Sequence, residues 1–381
     1  MPEKKTSLQF LGRNIRYLRR QRGWTIARLA NEAGIAEIPL GRIERGENAP
    51  SAIALYGLSK SLNVSIDAFF AKELKDFISK QIASSEEPFV QTEPFKALSP
   101  KIMQMAREMM DAVCSLEDIC GAQKHASLPL NISFDPSREG IENLSVMARN
   151  YMGIGDSVVF DYIELFESMG LRVVFVPFPK ETESIAFYDL KNQNAFFFLK
   201  TKMNPERQLF QLMYQLGRIF MLCQTNRTGK NTFPDAGNDL SGEGSQKPLT
   251  MHRAARYFAA LVLMPERTVR VTVNQLGIVN NNWSYELLLR IKHRFGVSAE
   301  AFLFRLKELF LIDMSVHDRL RGKINKYYNI NNYSEPDSTR RILTSNGRIW
   351  DLVITAKTYA DVEDEVRRIE NTLVKWSIKK V

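Results

Sequence analysis

The chain has 381 residues, of which 44% are hydrophobic, 25% charged and 10% aromatic. This ordinary globular composition excludes a disordered, collagen-like or disulfide-rich chain, and the length predicts about two to three domains. The formal net charge of +9 is compatible with a polyanionic partner, but a surplus of that size does not by itself establish one.

The cysteine content and the lengths of the apolar runs both bear on the compartment of the protein. The three cysteines are too few, and odd in number, for a disulfide framework, which predicts a reducing compartment. The opening MPEKKTSLQF lacks the apolar region of a signal peptide, and no apolar run reaches the ~20 residues that span a bilayer. We therefore predict a cytoplasmic protein with no membrane partner.

The positive charge is concentrated at the N-terminus. Within the first thirty residues Glu3 is the only acid, and the basic residues are Lys4, Lys5, Arg13, Arg16, Arg19, Arg20, Arg22 and Arg28. Such a cluster is either a solvated helix face or an electrostatic footprint for nucleic acid.

Apolar residues at helical spacing predict five short helices between residues 6 and 70. The first begins near Thr6 or Ser7 and ends at Gly23, and the second runs from Thr25 as its cap to Gly34. The remaining three are EIPLGRIERGE, a helix opening at Pro50-Ser51 and a helix capped by Ser65 that carries Phe69 and Phe70. A glycine turn between the second and third helices is typical of a helix-turn-helix domain.

The run LGRNIRYLRRQRGWTIARLANEAGIAEIPLGRIERGENAPSAIALYGLSKSLNVSIDAFF resembles the Cro/CI-type (XRE) DNA-binding domain over its whole length. The resemblance implies that the third helix enters the major groove of double-stranded DNA, usually as half of a homodimer. Base-edge readout requires polar donors and acceptors, and apolar side chains can contact a thymine methyl. We assign DNA contacts to Thr25, Glu37, Ile38, Arg42, Arg45 and Asn48, the last two as phosphate contacts.

The third helix departs from the family pattern. Ile26 follows the capping Thr25 where the family commonly has Gln, and Ala36 stands where it usually has Ser. Pro39 and Gly41 lie within the helix, and proline fits a helix only in its first turn. The sequence thus specifies the fold more firmly than the base preference.

Residues 83–96 are polar and contain prolines, which predicts a linker. A methionine-rich helix at about 97–118 is either core or dimer surface. Helices near 140–151, 158–169, 205–223 and 250–263 flank the strand-like runs LRVVFVPF, ESIAFYDL and QNAFFFLK. Mixed helices and short strands predict an α+β domain.

Two runs, NPERQLFQLMYQLGRIFML and RAARYFAALVLMPERTV, resemble the ImmA/IrrE-type metallopeptidase domain, and the resemblance covers roughly 134–312. The family's helix normally reads H-E-L-G-H, where two histidines bind zinc and the glutamate is the general base. Here the sequence is Tyr214-Gln215-Leu216-Gly217-Arg218. A guanidinium offers a metal no lone pair, and an amide does not accept a proton as a carboxylate does. We therefore predict no metal, no cofactor and no enzyme activity.

The altered cleft has two interpretations. Either these side chains merely fill space, or Tyr214, Gln215, Arg218 and His252 line a pocket for a small anionic ligand, because guanidinium groups bind carboxylates and phosphates. A separate group of Cys114, Cys120 and His125 matches no zinc spacing, and buried thiols are common in cores.

The last segment contains basic and tyrosine-rich stretches that either contact nucleic acid or dock the tail onto the preceding domain. RIWDLVITAK is predicted as a strand, followed by an amphipathic helix. The fold class is therefore multidomain, with an all-α helix-turn-helix domain, an α+β zincin-like domain and a small C-terminal α+β segment. The predicted boundaries are 1–75 for the DNA-binding domain, 76–128 for a linker and helix, 129–316 for the zincin-like domain and 317–381 for the extension.

These features predict a homodimeric, sequence-specific transcription regulator in which the inactive zincin-like domain senses a ligand, forms the dimer, or both. Two other classes stay open. One is an antitoxin-like or phage-type repressor that acts mainly through a protein partner. The other is a metallopeptidase that cleaves a repressor, which requires a bound metal.

Overall fold

The computed structural model divides the chain into two compact units, Met1–Glu87 and Pro88–Val381, and each is described by itself. The described residues are 2–21, 24–62, 64, 66–71, 89–92, 98–129, 135–189, 192–228, 233, 248–338, 346–359 and 362–376.

Unit 1 is all-helical. Its elements are α1 (Pro2–Gln21), α2 (Ile26–Ala33), α3 (Glu37–Glu44), α4 (Ala52–Ser61) and a 3-10 helix (Ile66–Phe70). The hydroxyl of Thr25 accepts a hydrogen bond from the Arg28 backbone N–H at 3.1 Å, so the predicted cap of α2 is confirmed. The buried core is formed by Leu11, Ile15, Leu18, Leu29, Leu40, Ile43, Leu58, Leu62 and Phe69.

One detail of the predicted helices in unit 1 was wrong, and the structure refines a second. Helix α1 begins at Pro2 rather than at Thr6 or Ser7, because both residues continue the helix. The fifth helix is a single 3-10 segment in which Phe69 is buried and Phe70 is exposed. Gly23 and Ser65 lie outside the described residues.

Unit 2 is built on a four-stranded sheet in the order β1-β3-β4-β2. Strand β2 (Leu171–Val176) is parallel to β4 (Asn194–Lys200), and β3 (Ser184–Asp189) is antiparallel to β4. These three strands confirm the strand-like runs found in the sequence. The short strand β1 (Phe89–Gln91) pairs antiparallel with β3 and lies within the predicted linker, which is therefore not wholly irregular.

Helices cover both faces of the sheet. The core on one face is shared with helices α6 (Arg138–Tyr151), α7 (Tyr162–Ser168), α8 (Pro205–Thr228), α9 (Met251–Leu263), α10 (Glu266–Gln275), α11 (Tyr285–Phe295), α12 (Ala299–Glu308) and α13 (Met314–Ile330). The other face packs against α5 (Pro100–Cys120), α14 (Gly347–Ala356) and α15 (Glu363–Lys375). Successive side chains of β2 point to opposite faces of the sheet, so Val173 and Phe175 lie in the first core and Val174 and Val176 in the second.

The C-terminal prediction needs one correction. The run RIWDLVITAK is not a strand but most of helix α14, in which Ile349, Trp350, Val353 and Ala356 are buried. These positions recur every three to four residues, as on one helix face, and the packing against α5 overrides the strand preference of the β-branched residues. The described C-terminal elements are therefore all helical.

The predicted boundaries inside unit 2 remain predictions. The structure adds that α5, α14 and α15 share one core with the sheet, although the first was assigned to the linker and the other two to the extension. No helix in the described ranges is long and apolar enough to cross a membrane.

A half-buried carboxyl on α7 predicts a pH dependence of unit 2. Burial raises the pKa of Glu167 to about 7, although the charge of Arg348 partly opposes the shift. The folded state thus holds the Glu167 proton more tightly than the unfolded chain, whose carboxyl has its ordinary pKa of about 4.3. The resulting stabilisation is complete below that pKa and is lost as the pH rises through 7.

We expect the Glu167→Gln variant to lose this component. The difference in free energy of unfolding between wild type and variant should change between pH 4 and pH 8 in denaturant titrations. Glu139→Gln, which removes an exposed carboxyl on α6, is the control. Identical pH profiles for wild type and Glu167→Gln would contradict the prediction.

Candidate functional sites

The first candidate site is the turn between α2 and α3. Gly34 ends α2 with a left-handed backbone at φ 66°, and the Ile35 N–H donates to the Ala30 carbonyl at 2.9 Å. Glycine adopts this conformation without steric cost, so α2 ends here and only three residues separate it from α3, which starts at Glu37. This local geometry is that of a helix-turn-helix unit.

Helix α3 presents polar side chains on its free face. Glu37, Ile38 and Arg42 are exposed, and Ile38 is 72% exposed, whereas Leu40 and Ile43 are buried. Such a division leaves the exposed face available for the edges of base pairs.

Proline is tolerated in α3 because of its place in the helix. Pro39 is the third residue of α3, in the first turn, where its missing N–H costs no intrahelical hydrogen bond. The residue before the helix, Ala36, makes no side-chain cap, so α3 depends on tertiary contacts for its position.

The remaining predicted DNA contacts are exposed as well. The hydroxyl of Thr25 caps α2, and Asn48 lies in the turn after α3. Arg45 pairs with Glu47 at 2.7 Å, and the hydrogen bond that its guanidinium donates to that carboxylate raises the pKa of the guanidinium. A phosphate would therefore compete with Glu47 for Arg45.

A buried ion pair fixes α3 against α1. The Arg19 guanidinium donates to the Glu44 carboxylate at 2.6 and 2.8 Å and to the Trp24 carbonyl at 2.7 Å. Arg19 is only 7% exposed and so does not belong to the basic surface, where the sequence analysis had counted it. The helices also approach closely at Gly12, where a Cβ would lie 2.4 Å from the Ile43 carbonyl oxygen.

The second candidate site is a cavity of about 1330 Å³ in unit 2. Its walls come from the start of β3 and from α8, α9, α12 and α13, and they include Tyr214, Gln215 and His252. Three of the four predicted ligand-binding residues thus meet at one cavity. The fourth, Arg218, is not among the lining residues, and its guanidinium carbon lies 5.6 Å from the centre of the Tyr214 ring.

Hydrogen bonds hold the lining side chains. The Tyr214 hydroxyl and His252 Nδ1 lie 2.9 Å apart, and Gln215 Nε2 donates to the Ser184 hydroxyl at 2.8 Å. Helices α8 and α9 can approach here because Gly217 has no side chain, and a Cβ would lie 2.6 Å from Phe258. The site is therefore assembled on a tight helix crossing.

The donor set at this position does not fit zinc. A phenol bonded to His252, an amide and a guanidinium replace the two imidazoles and the carboxylate that such a helix would need. Within the described ranges, no group of three His, Cys, Asp or Glu side chains is arranged to hold a metal ion.

The cysteines of α5 have ordinary structural contacts. Burial raises the pKa of the Cys114 thiol to about 11, so it is protonated at neutral pH. The Cys120 thiol donates to the Leu352 carbonyl at 3.4 Å, and His125 Nδ1 lies 3.1 Å from the Asn192 carbonyl oxygen. Cys120 and His125 therefore bond to different backbone carbonyls, and the Cys114 thiol is protonated.

Comparison with known families identifies both parts of the chain. A family model described as helix-turn-helix matches residues 15–69, and one described as IrrE N-terminal-like domain matches residues 166–307. The fold and the matches thus show a helix-turn-helix unit followed by an IrrE N-terminal-like domain. More specifically, the chain joins an XRE-type helix-turn-helix domain to a domain of the IrrE/ImmA-like family.

Two individual proteins are similar to the chain. The HTH-type transcriptional regulator SutR of Escherichia coli (strain K12) is 38% identical over 63 residues, which are 16% of this chain. The chain spans only about a third (35%) of the length of this curated relative. A crystal structure of Bacillus thuringiensis PlcR in complex with the peptide PapR7 and DNA aligns over 96% of this chain and 99% of that one, with 14% identity and a TM-score of 0.17.

Proposed function

We propose that this protein is a cytoplasmic, homodimeric transcription regulator that binds double-stranded DNA in a sequence-dependent manner. The observation that carries the proposal is helix α3, whose exposed Glu37, Ile38 and Arg42 stand on a helix held by the buried Arg19–Glu44 pair. A recognition helix needs this combination of a rigid base and a polar free face. The relatedness to SutR supports a regulator.

The zincin-like domain serves in this proposal as a sensor or dimerisation domain without peptidase activity. The phenol, amide and guanidinium of Tyr214, Gln215 and Arg218 support the loss of chemistry, because they supply neither the metal ligands nor the general base. A ligand would act by preferring one arrangement of the dimer, and its effect is limited to its differential affinity for the two states.

We further propose that the cavity of unit 2 binds a small ligand with an anionic group. Six glutamates line it too; those at 183, 206, 308 and 335 are paired with basic side chains of the protein, with Lys292 shared between 206 and 335, and Glu181 and Glu300 are exposed. Arg253 and Arg256, rather than Arg218, are the exposed guanidinium groups on its wall that suit a carboxylate or phosphate.

Selection of genomic DNA fragments on the purified full-length protein tests the regulator. We expect one palindromic motif at physiological salt, with half-sites about one helical turn apart. Random fragments that elute as salt rises would overturn the proposal, since they indicate binding by counterion release alone. The same operator affinity with and without every candidate ligand would overturn the sensor role.

Two arginines of unit 1 should affect DNA binding differently. We expect Arg42→Ala to weaken operator binding by about 5- to 150-fold and to relax the preference at one base pair. Arg45→Ala should weaken all sequences alike and make binding less dependent on salt. Fluorescence anisotropy with operator and scrambled duplexes at several salt concentrations measures both effects. Equal losses on both duplexes for Arg42→Ala would contradict its assignment.

A second candidate function is an antitoxin-like or phage-type repressor that acts through a protein partner. It is favoured by large apolar side chains exposed on unit 1, namely Ile38, Ile53, Tyr56 and Phe70. A tight protein complex recovered by affinity purification, together with weak and unselective DNA binding, would favour this alternative.

A further inference from the structure

A continuous hydrogen-bond relay runs along one wall of the cavity. Arg207 pairs with the Glu183 carboxylate, with Nε 3.0 Å from Oε2. Gln211 Nε2 donates to the same carboxylate at 2.7 Å, and Gln211 Oε1 accepts from the Ser184 hydroxyl at 2.7 Å. That hydroxyl accepts in turn from Gln215 Nε2 at 2.8 Å.

The direction of this relay follows from the charged group at its start. A carboxylate only accepts hydrogen bonds, so Gln211 must turn its NH2 group toward Glu183 and its oxygen toward Ser184. The Ser184 hydroxyl then donates its only proton to Gln211 Oε1. Gln215 can therefore only donate a hydrogen bond to that hydroxyl. Rotating the Gln215 amide would set its oxygen against a hydroxyl that has no proton left to give.

The relay therefore ends in an acceptor. Gln215 Oε1 is buried, and it has no hydrogen-bond partner among the described residues. Gln215 is 1% exposed and belongs to the cavity wall. A buried acceptor without a hydrogen-bond donor is unfavourable. A ligand group that donates a hydrogen bond to this oxygen therefore contributes binding free energy that an apolar group or a carboxylate cannot provide.

We propose that Gln215 Oε1 is a specificity-determining contact that receives an uncharged N–H or O–H donor of the ligand and rejects a carboxylate oxygen. The anionic group of the same ligand lies elsewhere in the cavity, toward Arg253 and Arg256. The ligand class is thus a carboxylate that also carries an amide N–H or a hydroxyl. This inference rests on the sensor role proposed above, because it names the ligand class of that cavity.

Matched probes test the donor requirement on the full-length protein. N-acetylglycine and N-acetylsarcosine differ at the amide, where only the first has an N–H, and 3-hydroxybutyrate and 3-methoxybutyrate differ in the O–H. Ligand-observed NMR titrations give the dissociation constants. We expect the donor-bearing member of at least one pair to bind about tenfold or more tightly than its partner, and the responding pair distinguishes an amide from a hydroxyl.

Variants assign the preference to the relay. Gln215→Met should abolish the difference within the responding pair, and Glu183→Gln should reduce it, because the anchor that orients Gln211 is then uncharged. Gln104→Met, which removes an exposed glutamine on α5, should leave it unchanged. A merely structural Gln215 would instead lower the melting temperature when replaced. We expect the melting temperature to fall by about 2–4 °C in Gln211→Met and to stay unchanged in Gln215→Met.

Several outcomes would overturn the proposal. They are equal affinities within both pairs, no binding of any probe at millimolar concentration, and a preference that survives Gln215→Met. None of them depends on DNA, so the fragment selection can succeed while the ligand assignment fails, and the reverse also holds.

Discussion

Replacing Arg19 with alanine is expected to destabilise the helix-turn-helix unit by about 3–5 kcal/mol. The reason is the Glu44 carboxylate, which stays buried on α3 after its bidentate partner is removed. Because small domains have total stabilities of about 5–15 kcal/mol, this loss removes a large share of the stability of unit 1, and the midpoint of its unfolding should move to a much lower denaturant concentration. Denaturant titration followed by circular dichroism measures the shift of the midpoint.

The controls separate loss of the ion pair from loss of positive charge. Arg20→Ala removes an exposed arginine next in sequence and should leave the stability within about 0.5 kcal/mol of wild type. The double variant Arg19→Met with Glu44→Leu should recover much of the loss, since replacing a buried pair by apolar residues is often neutral. If Arg19→Ala were as stable as Arg20→Ala, the ion pair would not hold α3.

A comparable effect is expected in unit 2 for Lys292→Ala. Lys292 is 0% exposed, and its ammonium nitrogen lies 3.0 Å from Glu335 and 3.5 Å from Glu206. Its removal leaves two buried carboxylates side by side and should cost about 3–5 kcal/mol. The free energy of unfolding of the full chain, followed by a probe of unit 2, measures the loss.

The matched control is Lys357→Ala. Lys357 pairs with Glu370 at 2.6 Å, but it is about half exposed, and exposed pairs contribute about 0–1 kcal/mol. Equal stability changes for the two lysine variants would contradict the interpretation that Lys292 neutralises the buried carboxylates.

The sequence predicted the elements whose signals are local. Thr25 and Gly34 marked both ends of α2, and the strands β2, β3 and β4 stood out as short apolar runs between polar residues. The strand β1 was missed because three residues carry too little pattern. Helix α14 was misassigned because its β-branched residues favour a strand, and only its contact with α5 decides the outcome.

The candidate sites show the same limit. The alignment with the family's H-E-L-G-H helix selected Tyr214 and Gln215, and the run before Leu263-Met264-Pro265 selected His252. All three side chains line the cavity. Nothing local in the sequence distinguishes a guanidinium that faces the cavity from one that packs on a tyrosine, and the Arg218 guanidinium lies beside the Tyr214 ring. The relay through Ser184 and Gln211 was missed because these residues become neighbours only when β3 and α8 pack.

Two glycines without a left-handed backbone carry a consequence for how this chain can vary over evolutionary time. At Gly12 and Gly217 any missense change adds a Cβ that would meet the Ile43 carbonyl oxygen at 2.4 Å or the Phe258 ring at 2.6 Å. Gly34 differs, because nothing lies within 4 Å and its φ of 66° is one that asparagine also adopts. Descendants that keep this fold should therefore retain glycine at these helix crossings, whereas position 34 admits asparagine but strains other side chains.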